Sequence, residues 1–224
     1  MADRYAHFHA LAQAEQEGHD FRVVSVARDA HFVIVAPHGG EIEPGTSEIA
    51  QALAAENHAC YVFEGIKYYG NRALHITSAR FDEPRCMALL QAAHTAVTVH
   101  GESSDTPHIF LGGLDSSLKA QLALALQASG FSVEVHSNPR MQGVHTANIC
   151  NRAQSGQGIQ LEIARGLRET FFASMSLEGR RLTTAPFAEF VRTVRDVLAR
   201  AQCNPHHDPG AAQAPGPPVS SGSC

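Results

Sequence analysis

Two patterns of hydrophobic and polar positions alternate along the chain. Short, continuously apolar, β-branched runs such as HFVIVAP (31–37) have the composition of a strand buried on both faces. CYVFEGI (60–66), TAVTVH (95–100), HIFLGG (108–113), FSVEVHS (131–137) and IQLEIA (159–164) predict further strands. Between them, apolar residues recur at helical spacing. SEIAQALAAEN follows the first strand, and EPRCMALLQAAH carries Pro84 early, where a helix tolerates its missing N–H. DSSLKAQLALALQASG opens on Asp115 as N-cap and stops at Gly130. APFAEFVRTVRDVLARA places Phe187, Phe190, Val191, Val194, Val197 and Leu198 on one stripe, the strongest amphipathic signal in the chain and a core-packing face. This alternation predicts an α/β fold. No internal repeat is visible, so residues 1–203 are expected to form one domain. Residues 204–224, NPHHDPGAAQAPGPPVSSGSC, have almost no large apolar side chain to repay the entropy of ordering and are expected to be a disordered tail.

Composition narrows the classes. With 44% hydrophobic and 17% charged residues and no long apolar run, the 224-residue chain reads as an ordinary globular protein with no membrane span. The N-terminus lacks the basic segment and unbroken apolar stretch of a secretory signal, which predicts cytoplasmic residence. Release by lysis would then be the route to an extracellular substrate. A net charge of −5 excludes a binder that tracks nucleic-acid phosphates with many cations. Five widely spaced cysteines, Cys60, Cys86, Cys150, Cys203 and Cys224, contain no CxxC and read as reduced thiols. Gly156-Gln-Gly158 precedes a strand rather than following one, and no GxxxxGK occurs, so a nucleotide site is not indicated.

Candidate chemistry gathers where strands stop. FVIVAP runs into His38-Gly39, AVTV into His100-Gly101, and IQL into Glu162. Ligands in open α/β sheets sit beyond the carboxyl ends of the strands, so three parallel neighbours would bring these residues together. Two imidazoles and a carboxylate make a His2Glu zinc shell with its fourth position open to water, and a further carboxylate is then needed as general base. Glu162 is the candidate: with Gln160 it faces away from Ile159, Leu161 and Ile163, in a segment where an unpartnered carboxylate is costly. A lone strand-end histidine is more often a hydrogen-bonded loop residue than a ligand. Glu41, Glu43 and Glu48 also read as an acidic turn capping the next helix, where the dipole favours negative charge.

The motifs APHGGEIEPGTSEIA, ALHITSARFDEP, VTVHG, IFLGGLD, NICNR and GQGIQLEIARGLR occur in this order over residues 20–200. With them the sequence resembles the phage-associated poly-γ-glutamate hydrolase family, a zinc-dependent branch related in fold to zinc carboxypeptidases. The resemblance implies a mixed, largely parallel sheet flanked by helices and hydrolysis of γ-glutamyl amide bonds in poly-γ-glutamate. It implies that His38 and His100 are Zn2+ ligands and that Glu162 is the catalytic carboxylate. For the third ligand, the His-x-x-Glu spacing of zinc carboxypeptidases selects Glu41, whereas the HGGxIExGTSE pattern of the family selects Glu43. Glu43 is the residue chosen.

A polyanionic substrate calls for fixed cations, and arginine grips carboxylates through two hydrogen bonds. Arg152, with Asn151 beside it, is the first candidate, Arg165 and Arg168 are the next, and His75 is a further candidate substrate contact or support for the ligands. Cys150 has no visible base partner and reads as a buried thiol. A monomer is expected. Two other functions stay open at this point: a zinc amidohydrolase acting on a small acyl-amino acid, and a non-catalytic module binding an anionic ligand.

Overall fold

The structure, a computed structural model, describes residues 3–203. The tail expected at 204–224 and Cys224 lie outside the described residues. All six expected strands form, with a seventh ahead of them: β1 (Phe21–Val26), β2 (Phe32–Gly40), β3 (Ala59–Gly65), β4 (Thr95–Glu102), β5 (Ile109–Gly112), β6 (Val133–Glu134) and β7 (Ile159–Ala164). They form one sheet in the order β1-β3-β2-β4-β7-β5-β6. The central four, β3, β2, β4 and β7, are parallel neighbours. β1 runs antiparallel to β3, and β5 antiparallel to β7, so the sheet is mixed and largely parallel.

Burial explains which strands are legible. Every residue of β2, β3 and β7 is buried, so they appear as unbroken apolar runs. β1 and β6 are edge strands with mostly exposed or half-buried residues, and their patterns are correspondingly weak. FSVEVHS therefore contributes only two residues to the sheet.

Six helices cover the two faces: α1 (Phe8–Ala12), α2 (Thr46–Ala54), α3 (Pro84–Ala92), α4 (Ser116–Ala128), α5 (Arg165–Phe171) and α6 (Ala185–Cys203). The hydrophobic pattern predicts neither α1 nor α5, because five and seven residues are too few to display a helical period. Asp115 caps α4 by accepting from Leu118 N at 2.9 Å. Alternation along the strands divides the core. Phe32, Ile34, Val97, Val99, Leu161 and Ile163 face one cluster with α2, α4, α5 and α6. Val33, Val35, Ala96, Tyr61 and Phe63 face the other, beneath α1 and α3. No described helix is long and apolar enough to cross a membrane. Cys60, Cys86, Cys150 and Cys203 are unpaired, and burial pushes the Cys150 thiol up to about 12, as expected of an inert core group.

The stripe on α6 does the expected packing: Phe190 is fully buried, with its ring 5.2 Å from Phe171 and 5.8 Å from Phe131. Phe190→Ala should therefore cost about 3–5 kcal/mol, read from the midpoint of urea unfolding. A loss below about 1 kcal/mol would contradict this packing role.

Candidate active site

The carboxyl ends of β2, β4 and β7 open into a cleft of about 810 Å3. Parallel pairing sets His100 on β4 opposite Glu162 on β7, with both side chains on the α3 face of the sheet. His38 reaches that face by a different device. Along an unbroken strand it would share the face of Ile34 and Ala36, under α2. One extra residue intervenes between Ala36, which pairs with Val62, and Gly39, which pairs with Glu64. This bulge turns His38 over to the cleft, where its ring lies 5.1 Å from His100 and 4.0 Å from His75.

The two glycines after His38 serve the turn that follows. A Cβ on Gly39 would stand 2.3 Å from Ser47 Oγ, and Gly40 has φ of +62°. Gly40 N donates to that hydroxyl at 2.8 Å, and Glu43 N donates to the His38 carbonyl at 2.9 Å, so the chain curls back on the histidine. The Glu43 carboxylate accordingly lies 3.3 Å from His38 Nδ1 and 4.0 Å from His100 Nδ1, and it accepts from Gly101 N at 2.8 Å. His38 Nε2 lies 2.8 Å from the Ile76 carbonyl, an acceptor that fixes the proton on Nε2 and leaves Nδ1 toward the cluster. His100 Nδ1 is 3.2 Å from His38 Nδ1.

His38 Nδ1, His100 Nδ1 and the Glu43 carboxylate, which meets the two rings through different oxygens, thus face one another and call for a proton or a cation among them. The protonation equilibria express the same demand. Burial works against a charged His38, but the adjacent Glu43 carboxylate more than reverses this and holds the imidazole above its ordinary value. Burial would likewise raise Glu43, yet its two imidazole neighbours and the Gly101 amide hold it down to about 2. Burial and the charge of His38 push His100 down to about 3, which keeps it neutral. A tetrahedral shell with bonds of about 2.0–2.1 Å places neighbouring nitrogen and oxygen ligands about 3.3 Å apart. The separations of His38 from His100 and from Glu43 match this spacing, and the 4.0 Å between His100 and Glu43 would have to close by a fraction of an ångström.

His38, Glu43 and His75 also offer ligand atoms within 4.8 Å of one another. Asp3 holds His75 by Nδ1 at 2.7 Å, leaving its Nε2 edge for the cleft. Asp3 is itself fastened by Thr77 N and Arg80.

Glu162 is 6% exposed, and burial followed by repulsion from Glu43 raises its carboxyl well above the ordinary range. Gln160 donates to Glu162 Oε1 at 2.9 Å, and Asn148 donates to Gln160 Oε1 at 2.8 Å, so a buried amide relay fixes the carboxyl. Asn148 opens the NICNR motif and Gln160 lies in GQGIQLEIARGLR, but neither motif by itself shows the relay; only the shared parity of Gln160 and Glu162 hints at it.

The other two glutamates of the turn go elsewhere. Arg180, 2% exposed, pairs with both Glu41 and Glu48, which occupies Glu41 away from the imidazoles. Three residues expected at the substrate do not line the cleft. Asn151 spends its carboxamide on Leu114 N, Gly158 N and the carbonyls of Gly143 and His145, and so clamps a loop. Arg152 is exposed and reaches only the Phe81 carbonyl at 3.4 Å. Arg165 pairs with Asp105 on the surface. Arg168 is buried and donates to the carbonyls of Ile163, Pro44 and Glu102, tying the Glu43 turn to β4 and β7. The cations that do line the cleft are Arg72 and Arg140, which sit in short 3-10 turns without a motif of their own. A separate groove of about 850 Å3 between Phe8, Phe21 and Arg85 has its main charges already paired, Glu15 with Lys67 and Glu17 with Arg85.

Sheet, cleft and imidazole–carboxylate cluster define a single-domain α/β enzyme of the hydrolase class. A family model described as poly-gamma-glutamate hydrolase matches residues 5–193. The SPbeta prophage-derived UPF0714 protein YoqZ of Bacillus subtilis (strain 168) is 37% identical over 183 residues, 81% of this chain and 66% of YoqZ. A bacteriophage poly-gamma-glutamate hydrolase structure superimposes with a TM-score of 0.85 at 30% identity, covering 89% of this chain and 98% of that one. Zinc-free YndL does so with a TM-score of 0.85 at 35% identity, covering 89% and 99%. The chain belongs to the poly-γ-glutamate hydrolase family, whose members are amide-bond hydrolases.

Arg168→Met keeps an extended side chain but leaves one buried and two half-buried carbonyls without their donor, and should cost on the order of 3 kcal/mol in chemical denaturation. An unchanged unfolding midpoint would show that the tether is not needed.

Proposed function

We propose that the protein hydrolyses γ-glutamyl amide bonds of poly-γ-glutamate, with His38, Glu43 and His100 holding Zn2+ and Glu162 carrying the proton. The observation that carries this reading is the convergence of two imidazoles and one carboxylate beside a buried carboxyl, with His38 Nδ1 3.2 Å from His100 Nδ1 and the Glu43 oxygens 3.3 and 4.0 Å from the two rings. Family membership supports the substrate, and the existence of a zinc-free form of the relative YndL supports the metal. Bound there, zinc would supply a water acidic enough to act near neutral pH and a Lewis acid for the scissile carbonyl.

The chain's own groups supply the rest. The Ile76 carbonyl and the Gly101 amide hold His38 and Glu43 in ligating orientation before any ion arrives. Glu162, held through Oε1 by Gln160, takes the proton from the attacking water and returns it to the departing amine nitrogen. Its raised proton affinity suits the second half of that cycle, because a buried carboxyl that holds its proton is an effective donor. The walls of the cleft, Ile42, Met141 and Val144 among them, limit water around the reacting amide.

Zinc-loaded protein should shorten poly-γ-glutamate and leave α-linked polyglutamate intact, followed by chain length on gels. Glu162→Gln should retain zinc while losing about 10²–10⁴ in turnover. Glu43→Gln should lose the metal and Glu41→Gln keep it, measured by atomic emission on dialysed protein. Full turnover in Glu162→Gln would remove that residue from proton transfer, and retained zinc in Glu43→Gln would remove Glu43 from the metal shell.

A further inference from the structure

Most arginines in this chain are already satisfied: Arg22 by Glu64, Arg80 by Asp3, Arg85 by Glu17, and Arg180 by Glu41 and Glu48. Arg72 and Arg140 differ. Among the described residues neither guanidinium makes an ion pair or a hydrogen bond, and both line the cleft that holds His38, Glu43, His100 and Glu162. Both side chains are exposed at the cleft, and a guanidinium there without a partner is matched to an anion brought from outside.

Their mounting gives them opposite positions. Arg72 lies in the turn Asn71–Leu74 that follows β3, three residues before His75. Arg140 lies in the turn Pro139–Met141 that follows β6. In the sheet order β3-β2-β4-β7-β5-β6, the cluster built from β2, β4 and β7 falls between the two. Each turn is also tied down. Asn71 bonds Lys67 N and O through its carboxamide, and the Met141 carbonyl accepts from Gln160 Nε2 at 3.0 Å. Gln160 is the same amide that holds Glu162, so the turn that carries Arg140 is tied to the support of that carboxyl.

We infer that Arg72 and Arg140 are the substrate-reading cations of this enzyme, each gripping one of the two free carboxylates that flank the amide to be cut. The inference rests on the function proposed above and deepens it. In a γ-linked glutamyl chain every residue keeps its α-carboxylate, so any scissile amide has one anion on its acyl side and one on its amine side. Cations on both flanks of the cluster hold that amide over the acceptor atoms. A neutral polyamide of the same backbone lacks both handles.

The test is equilibrium binding of fluorescently labelled poly-γ-glutamate to the zinc-loaded protein carrying Glu162→Gln, so that the polymer is not consumed. On that background Arg72→Gln and Arg140→Gln should each weaken binding about tenfold or more at low salt, and Arg→Lys at either position should recover part of the loss. Fully methyl-esterified polymer should bind the parent as poorly as the double variant, with no further loss when either arginine is changed. Arg200→Gln, an exposed residue on α6, should leave binding as it was. In the active enzyme the same two substitutions should raise KM more than they lower kcat. Thermal unfolding of the variants should match the parent, since no internal partner is lost.

Binding that is unchanged in Arg72→Gln and Arg140→Gln, or a loss equally large on the esterified polymer, would overturn the assignment. Polymer that fails to bind the parent at all would overturn it too. Arginine-dependent binding by a wild-type protein that does not shorten the polymer would sink the hydrolytic reading alone.

Discussion

The parallel pairing of β4 with β7 is the constraint on which the site depends. It places His100 level with Glu162, and the pairing of β4 with β2 brings the end of β2 to the same edge. Adjacent strands lie about 4.8 Å apart, so three neighbouring strand ends are enough to collect a metal-type shell and a separate carboxyl within one cleft. The helices bury the two sheet faces, and the open carboxyl edge is left for chemistry.

On that frame, two local departures from regularity do the aiming. The bulge in β2 reverses the face to which His38 points, and the turn through Gly39 and Gly40 sends Glu43 back toward the histidine it follows. Arg168 then locks the turn from below, passing so close to Gly101 that a Cβ there would stand 2.7 Å from its Cζ. That glycine is demanded by the tether, and its amide supplies the hydrogen bond that holds Glu43. One buried cation therefore steadies both the carboxylate and the strand end beside it.

Charge in the cleft is arranged by proximity. Glu43 sits among imidazoles and stays ionised, whereas burial and then the facing charge of Glu43 raise the proton affinity of Glu162. Two buried carboxyl groups in one cleft thus acquire opposite shifts, because only Glu43 has imidazole neighbours to offset its burial. The arginines divide similarly: Arg22, Arg80, Arg85 and Arg180 meet internal carboxylates, whereas Arg72 and Arg140 line the cleft without one.

Much of this is legible in the order of the amino acids. Six strands and the four longest helices announce themselves by burial periodicity, because strands buried on both faces must be apolar throughout and long helices must show a stripe. His38, His100 and Glu162 are visible as polar residues ending apolar runs, and the parity of Gln160 with Glu162 follows from the pleat. Edge strand β1 and the short helices α1 and α5 carry too few buried positions to leave a period, and edge strand β6 is shorter than its pattern predicts. Spacing does not separate Glu41 from Glu43, since the choice turns on Arg180, which is far away in the chain and near in space. Asn151, Arg152 and Arg165 suit a substrate by their chemistry and their neighbours in sequence. Their partners, four backbone groups for Asn151, the Phe81 carbonyl for Arg152 and Asp105 for Arg165, come from segments that only folding brings to them. Local hydrophobic pattern is thus sufficient to dictate the sheet, the longer helices and the residue types at the strand ends. Which of the many glutamates and arginines face the cleft is settled by the folded chain, because a charged side chain is assigned by the partner it meets across the fold.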